Sequence, residues 1–358
     1  MKSHLLPLTV VLLVASALRA DTIVLGDAPP IADVIVVSTS FAFVEYKTIT
    51  GGKTEAVETW RVRDIVFDKA PRAWRRAQEA YATGDMAGAL GYLQALGGAA
   101  AKDQSFVREA ALLLSLRARL ALGEDALAAA VAATLMAEYP RGRFFGDAAV
   151  FAARLFAADG KYDEADEIAG HLRAAVADQK PGGDWSEVVD LLIAEILLDR
   201  SSPEAAVERS RAVVLRVAAA PDAAARGALL ARARLLLGRA LLALGEEEKA
   251  MRLAAEMAEA SADGRGVVQA AAGLLEAEIA LAKKSADLAF AILVRIRVEY
   301  GAAVPESARA CYLLARASEA ATGDPAAAAR TVAYDRETVR RRPDSREAMI
   351  VRARARKN

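Results

Sequence analysis

The chain has 358 residues with 47 basic and 47 acidic side chains, and its formal net charge of zero excludes a global electrostatic pull toward nucleic acid or anionic membrane. Apolar residues make up 54% and charged residues 26%, which excludes a disordered chain. A single cysteine, Cys311, rules out an internal disulfide or a CxxC motif, and two histidines, His4 and His171, leave no His-based metal cage and poor material for a catalytic triad.

The first twenty residues, MKSHLLPLTVVLLVASALRA, place a Lys near the start, then an apolar run from Leu5 to about Ala15, then small residues. This is the plan of a cleaved secretory signal peptide, 1–20. Cleavage fits after Ala17 or after Ala20; the second is preferred because a strand begins at once with DTIVL. As a helix the run would span only ~20 Å, against a hydrocarbon core of roughly 30 Å. The expected location is periplasmic or secreted, with no integral span after cleavage.

Residues 21–68 change character. TIVL, IADVIVVS, FAFVEYKT, KTEAVET and VRDIVFD are short runs rich in Val, Ile, Thr and aromatics, broken by GDAPP, STS and TGG. Gly51 and Gly52 suit a hairpin turn because both take positive φ without a Cβ clash. Five short strands in this span predict a small five-stranded, strongly bent SH3-like or Sm-like β domain. The segments DTIVLGD, VEYKTITGGK and RVRDIVF resemble the small β domain at the start of many exported bacterial repeat proteins, with APP at 28–30 in place of the usual Gly turn. A segment this short buries a marginal core, so it is expected to lean on the first helices that follow.

From Pro71 the apolar period becomes helical. The segments RAQEAYATGDMAGAL, LRARLALGEDALAAA, ARLFAADGKYDEADE and GRALLALGEEEKAMR each read as a helix, a Gly turn, and a second helix rich in acid and Ala. Turns fall at Gly84, Gly123, Gly160, Ser201, Gly245, Lys284 and Gly323, spaced 39, 37, 41, 44, 39 and 39 residues apart. Five residues after each stands an Ala: 89, 128, 165, 206, 250, 289 and 328. Helices in a tight hairpin approach within ~8–10 Å, which a small residue at the crossing permits. The eighth position of the first helix is also small at Ala77, Ala153, Ala194, Gly238 and Ala277, while Leu116 and Arg316 break the rule.

These features, with the Pro exits in EYPRGRFFGDAAVFAA (138–153) and RRRPDSREA (340–348), resemble the tetratricopeptide repeat in its bacterial envelope form. The resemblance covers nearly three quarters of the chain. It implies a mainly α chain, a right-handed α-solenoid of about seven hairpins over 69–343, and a protein or peptide partner. Residues 344–358 read as a basic, solvent-facing C-terminal capping helix or tail, since solenoid ends need a polar outer face.

The acidic stretch DGKYDEADE (159–167) looks like a metal site but fits the repeat. Gly160 is the turn, Ala165 the crossing residue, and the acids sit where the positive end of the helix dipole favours them. The sixth-position Gly of an EF-hand is absent, and Leu155 and Tyr162 occupy the P-loop positions for Gly and Ser/Thr. No catalytic motif is present, so no catalytic residue, cofactor or metal is assigned and the chain is read as a non-enzyme. Arg outnumbers Lys 36 to 11, with the arginines spread beside Glu and Asp as on a solvated face. Mapped from each turn, the middle of the inner face presents Gln78, Arg117, Arg154, Glu195, Arg239 and Glu278 as a peptide-binding groove, whose arginines could hold a carboxylate. No Asn precedes Asn358, so the Asn-based clamp of chaperone-binding repeats cannot form. The expected role is a non-catalytic scaffold or adaptor in the bacterial cell envelope. The alternative is an accessory subunit of an envelope enzyme or transport system, docking through the β domain.

Overall fold

The computed structural model describes residues 20–96, 105–223, 225–260, 266–300, 306–321 and 324–357. The signal-peptide reading and the seventh turn, Gly323, lie outside them. The chain is mainly helical, with an N-terminal five-stranded antiparallel sheet.

The strands are β1 (Asp21–Leu25), β2 (Ile31–Thr39), β3 (Phe43–Thr48), β4 (Glu55–Glu58) and β5 (Val62–Val66), in spatial order β4-β3-β2-β1-β5. Side chains alternate as the pleat requires: Val34 and Val36 are buried while Ile35 and Val37 face out. The buried set forms a core with Ile23, Val44, Tyr46, Val57, Val62 and Ile65. Gly51 and Gly52 take φ of 88° and 142° in the β3–β4 connection. β1 and β2 still pair antiparallel across the APP stretch, without a left-handed residue between them. The Asp21 carboxylate accepts the Val36 and Asp68 N–H groups, each at 3.1 Å, tying β2 to the end of β5.

The helices are α1 (Arg72–Ala82), α2 (Met86–Leu96), α3 (Ser105–Leu122), α4 (Asp125–Glu138), α5 (Phe145–Ala158), α6 (Tyr162–Gln179), α7 (Trp185–Asp199), α8 (Pro203–Ala219), α9 (Gly227–Ala243), α10 (Glu247–Ala260), α11 (Gly266–Ala282), α12 (Ala286–Glu299), α13 (Glu306–Ala320), α14 (Ala327–Arg341) and α15 (Arg346–Lys357). Each of α1 to α14 packs on the next, and each odd-numbered helix from α5 to α11 also touches the next odd one. The six described turn residues all have positive φ: Gly84, Gly123, Gly160 and Gly245 between 75° and 85°, Ser201 at 65° and Lys284 at 59°. Ser201 and Lys284 hold this conformation against the usual Cβ penalty because the hairpin closes around them.

The crossing alanines Ala89, Ala128, Ala165, Ala206, Ala250 and Ala289 are fully buried. Ala328 is exposed, which corrects the expectation for the last turn. Earlier second helices begin two residues after the turn, whereas α14 begins at Ala327, four after Gly323. Thr331 takes the contact instead, its hydroxyl donating to the Ala315 carbonyl of α13 at 3.4 Å. At Gly238 a Cβ would stand 2.5 Å from Leu275 Cδ2, so the small residue there is required by the approach of α9 to α11. Cys311 is fully buried, as expected of a small apolar side chain.

The sheet leans further along the array than its first helices. Phe67 stacks on Phe106 of α3 at 5.0 Å, and Phe41 packs edge-on against Phe145 of α5 and Trp185 of α7. The Phe41 N–H donates to the Arg141 carbonyl at 2.9 Å, and Arg143 donates to the Val62 carbonyl at 2.9 Å. The α4–α5 corner, PRGRF at 140–144, is therefore the seat of the sheet.

The C-terminal helix is the second correction. α15 is not a solvent-facing cap on the last hairpin. It packs on α5 and α13 as well as α14, with Ala348, Met349 and Ala353 buried. Met349 enters the apolar cluster of Leu113, Leu116, Leu120 and Leu135. The array thus closes back onto its own early helices.

Candidate interaction groove

The predicted groove positions fall one per odd-numbered helix: Gln78 on α1, Arg117 on α3, Arg154 on α5, Glu195 on α7, Arg239 on α9 and Glu278 on α11. The structure joins four of them through charge. Arg154 forks onto Glu195, with Nε at 3.1 Å and Nη2 at 3.0 Å from Oε2. Arg232 of α9 donates to the other oxygen of Glu195 at 2.8 Å. Arg239 Nε stands 3.4 Å from Glu278 Oε2, and Arg309 of α13 donates to Glu278 Oε1 at 2.6 Å and to Glu347 of α15 at 3.0 Å. Gln78 and Arg117 are outside this network, although the Arg117 charge is felt by Tyr81 and Asp147.

The network borders a cavity of about 630 Å³ between α5, α7, α9, α11, α13 and the segment 342–347. Its electrostatics follow from burial and partners. Burial alone would raise the Glu195 carboxyl, but the guanidiniums of Arg154, Arg232 and Arg346 outweigh it and hold it well below the usual carboxylate range. Arg239 is lowered to about 10 by burial and by the neighbouring Arg309, against the pull of Glu278. Asp147 and Glu306, also on the cavity wall, are raised by burial that their arginine neighbours only partly offset. The walls are therefore a nearly self-neutralised set of fixed charges interleaved with Val150, Phe151, Leu229, Leu235 and Leu236. Such a surface can order a polypeptide by charge-assisted hydrogen bonds and apolar contact.

Sequence reasoning missed Arg232, Arg309, Arg346 and Glu347. Arg232 and Arg309 lie on inner helices but off the position sampled by counting from each turn. Arg346 and Glu347 arrive only because α15 folds back. Arg346 pairs with Asp199 at the end of α7, Arg352 with Asp125 at 2.7 Å, and Arg356 with Asp125 at 2.5 Å and Asp159 at 2.6 Å. Those three acids flank the turns of successive hairpins. A basic C-terminal helix together with an acid beside each turn was the available signal. In DGKYDEADE, Gly160 makes the turn, Ala165 is buried, and Asp163 and Asp166 each pair with Arg200 at 2.9 Å.

No family model matches the chain, and no curated protein matches it significantly. Solved structures that match include the apo form of RapI, at 11% identity and TM-score 0.39 over 76% of each chain. The P58(IPK) TPR domain also matches, at 15% identity and TM-score 0.24, over 80% of this chain and 88% of that one. Neither likeness is close enough to carry a function over to this chain.

Proposed function

We propose that the chain is a non-catalytic interaction scaffold of the tetratricopeptide type, binding a protein or peptide partner along its odd-numbered helices. The observation that carries this reading is the open cavity of about 630 Å³, where fixed charges from five helices converge among apolar side chains. Seven hairpins, α1–α2 through α13–α14, in a right-handed array are the finer reading; positive φ at the six described turns supports the first six hairpins, and the handedness rests on the resemblance to the repeat. The small-barrel reading of 21–68 is supported by the strand order and by the 3-10 turn at Thr59–Arg61 between β4 and β5. An envelope location rests on the sequence of residues 1–20. Among the described residues, no helix is long and apolar enough to cross a membrane.

The test places a photo-crosslinking residue at Ala228, on the cavity wall, and separately at Leu215, exposed on α8. Adduct formation from 228 but not from 215, lost on Arg232→Glu, supports the groove. Equal yields from both positions refute it. The second reading, docking through the sheet, is favoured by the outward Ile35, Val37 and Phe43 on β2 and β3. It predicts that Ile35→Glu abolishes partner recovery while the adduct at 228 is absent from the start.

A further inference from the structure

The C-terminal helix packs against α5, α13 and α14, and the face turned to the earlier hairpins carries most of its charged anchors. Arg346, Met349, Arg352 and Arg356 stand at i, i+3, i+6 and i+10, within about a third of a helical turn of one another in projection. Each has a built counterpart. Arg346 pairs with Asp199, Met349 fills the apolar cluster of α3 to α5, Arg352 forks onto Asp125, and Arg356 bridges Asp125 and Asp159. The Asp125 side chain is 5% exposed, and among the described residues both of its ion-pair partners belong to α15. Asp125 thus receives both its cover and its counter-ions from α15. The surface is matched both to guanidiniums at these spacings and to the apolar Met349 between them.

Several features of α15 favour release. It has 12 residues, below the length at which an isolated helix is stable in water. Its last turn, Arg354–Lys357, is exposed. It is tethered by only four residues, 342–345, folded tightly by Arg352 donating to the Pro343 carbonyl at 2.9 Å and by the Arg342–Asp344 pair. That short folded tether satisfies docking within one chain and works against exchange between two copies.

We propose that the surface under α15 recognises an arginine-rich amphipathic helix of a partner protein, patterned Arg-x2-Met-x2-Arg-x3-Arg, and that the chain's own C-terminal helix fills it until the partner displaces it. The inference rests on the scaffold reading above and supplies its partner chemistry and its regulation. A tethered segment acts at an effective concentration in the millimolar range, so an untethered helix of the same sequence binds the intact protein poorly.

The probe is a fluorescein-labelled peptide of residues 344–358, titrated by anisotropy into the full-length protein. The expected result is weak binding to the wild type and binding at least ~100-fold tighter to full-length R346E/R352E/R356E, whose own helix no longer competes. A peptide carrying the same three substitutions should bind neither protein. The proposal is overturned if the triple variant keeps its helical circular dichroism yet binds the peptide no better than the wild type. It is equally overturned if that variant and the milder R352Q/R356Q both lose helical signal, because α15 is then fixed core. A wild-type dimer by sedimentation that the triple substitution dissociates also overturns it, since the occupant is then a second copy. Peptide binding with no adduct at Ala228 would leave this inference standing and sink only the cavity reading.

Discussion

Ala165 offers the sharpest test of what holds the hairpins together. It is fully buried on α6 and shares one packed cluster with Ala169 and with Ala149, Ala153 and Ala157 of α5. The same cluster holds Leu172, Leu192 and Ile196, so a larger side chain at 165 must displace close-packed neighbours. Ala165→Leu adds three carbons to that cluster and is expected to cost ~1–3 kcal/mol through overpacking. For a chain of 358 residues that corresponds to a fall in Tm of roughly 1–4 °C. Ala328 occupies the same place relative to its turn but is exposed, so Ala328→Leu is expected to change stability by no more than about 0.5 kcal/mol. Thermal unfolding followed by far-UV circular dichroism reads both variants side by side. Equal losses would mean that the crossing residue does not set helix approach, and the packing account would be wrong.

The buried Glu109, which accepts the Phe144 N–H at 2.8 Å beneath the seat of the sheet, is raised from 4.5 to about 7 by burial. Its folded value lies above its unfolded one, so its contribution is fully present below about 4.5 and is lost as pH rises through 7, about 3 kcal/mol in all. Glu109→Gln should therefore stabilise the protein at pH 8 and leave it nearly unchanged at pH 4, as read by urea denaturation at the two pH values. Gly146→Ala places a Cβ 2.4 Å from the Trp185 ring and 2.7 Å from Phe41, so it should loosen the sheet from α5 and α7. The expected cost is ~1–3 kcal/mol, with a red shift of tryptophan emission. The Cys311 thiol is fully buried and pushed up to about 11 by burial. It should resist a disulfide reagent at pH 8 in the native protein and react fully once guanidinium unfolds the chain.

What the sequence determined was local. Helical period, a turn residue able to adopt positive φ and a small residue five positions on sufficed to place the hairpins, because each feature acts over a single turn of helix or one tight connection. The alternation in VIVVS and VEYK set which faces of the sheet were buried for the same reason. Tertiary structure decided whatever depended on long separation. Asp125 and Arg352 are 227 residues apart, and nothing in either local pattern says that they meet. The cap reading of 344–358 failed because a helix with a basic face looks solvated until an acidic surface is brought beneath it. The same holds for Phe41 at the α4–α5 corner and for Arg309 between Glu278 and Glu347: a charge or ring finds its partner only after the array has curved, and curvature is the sum of many small packing angles that no single segment encodes.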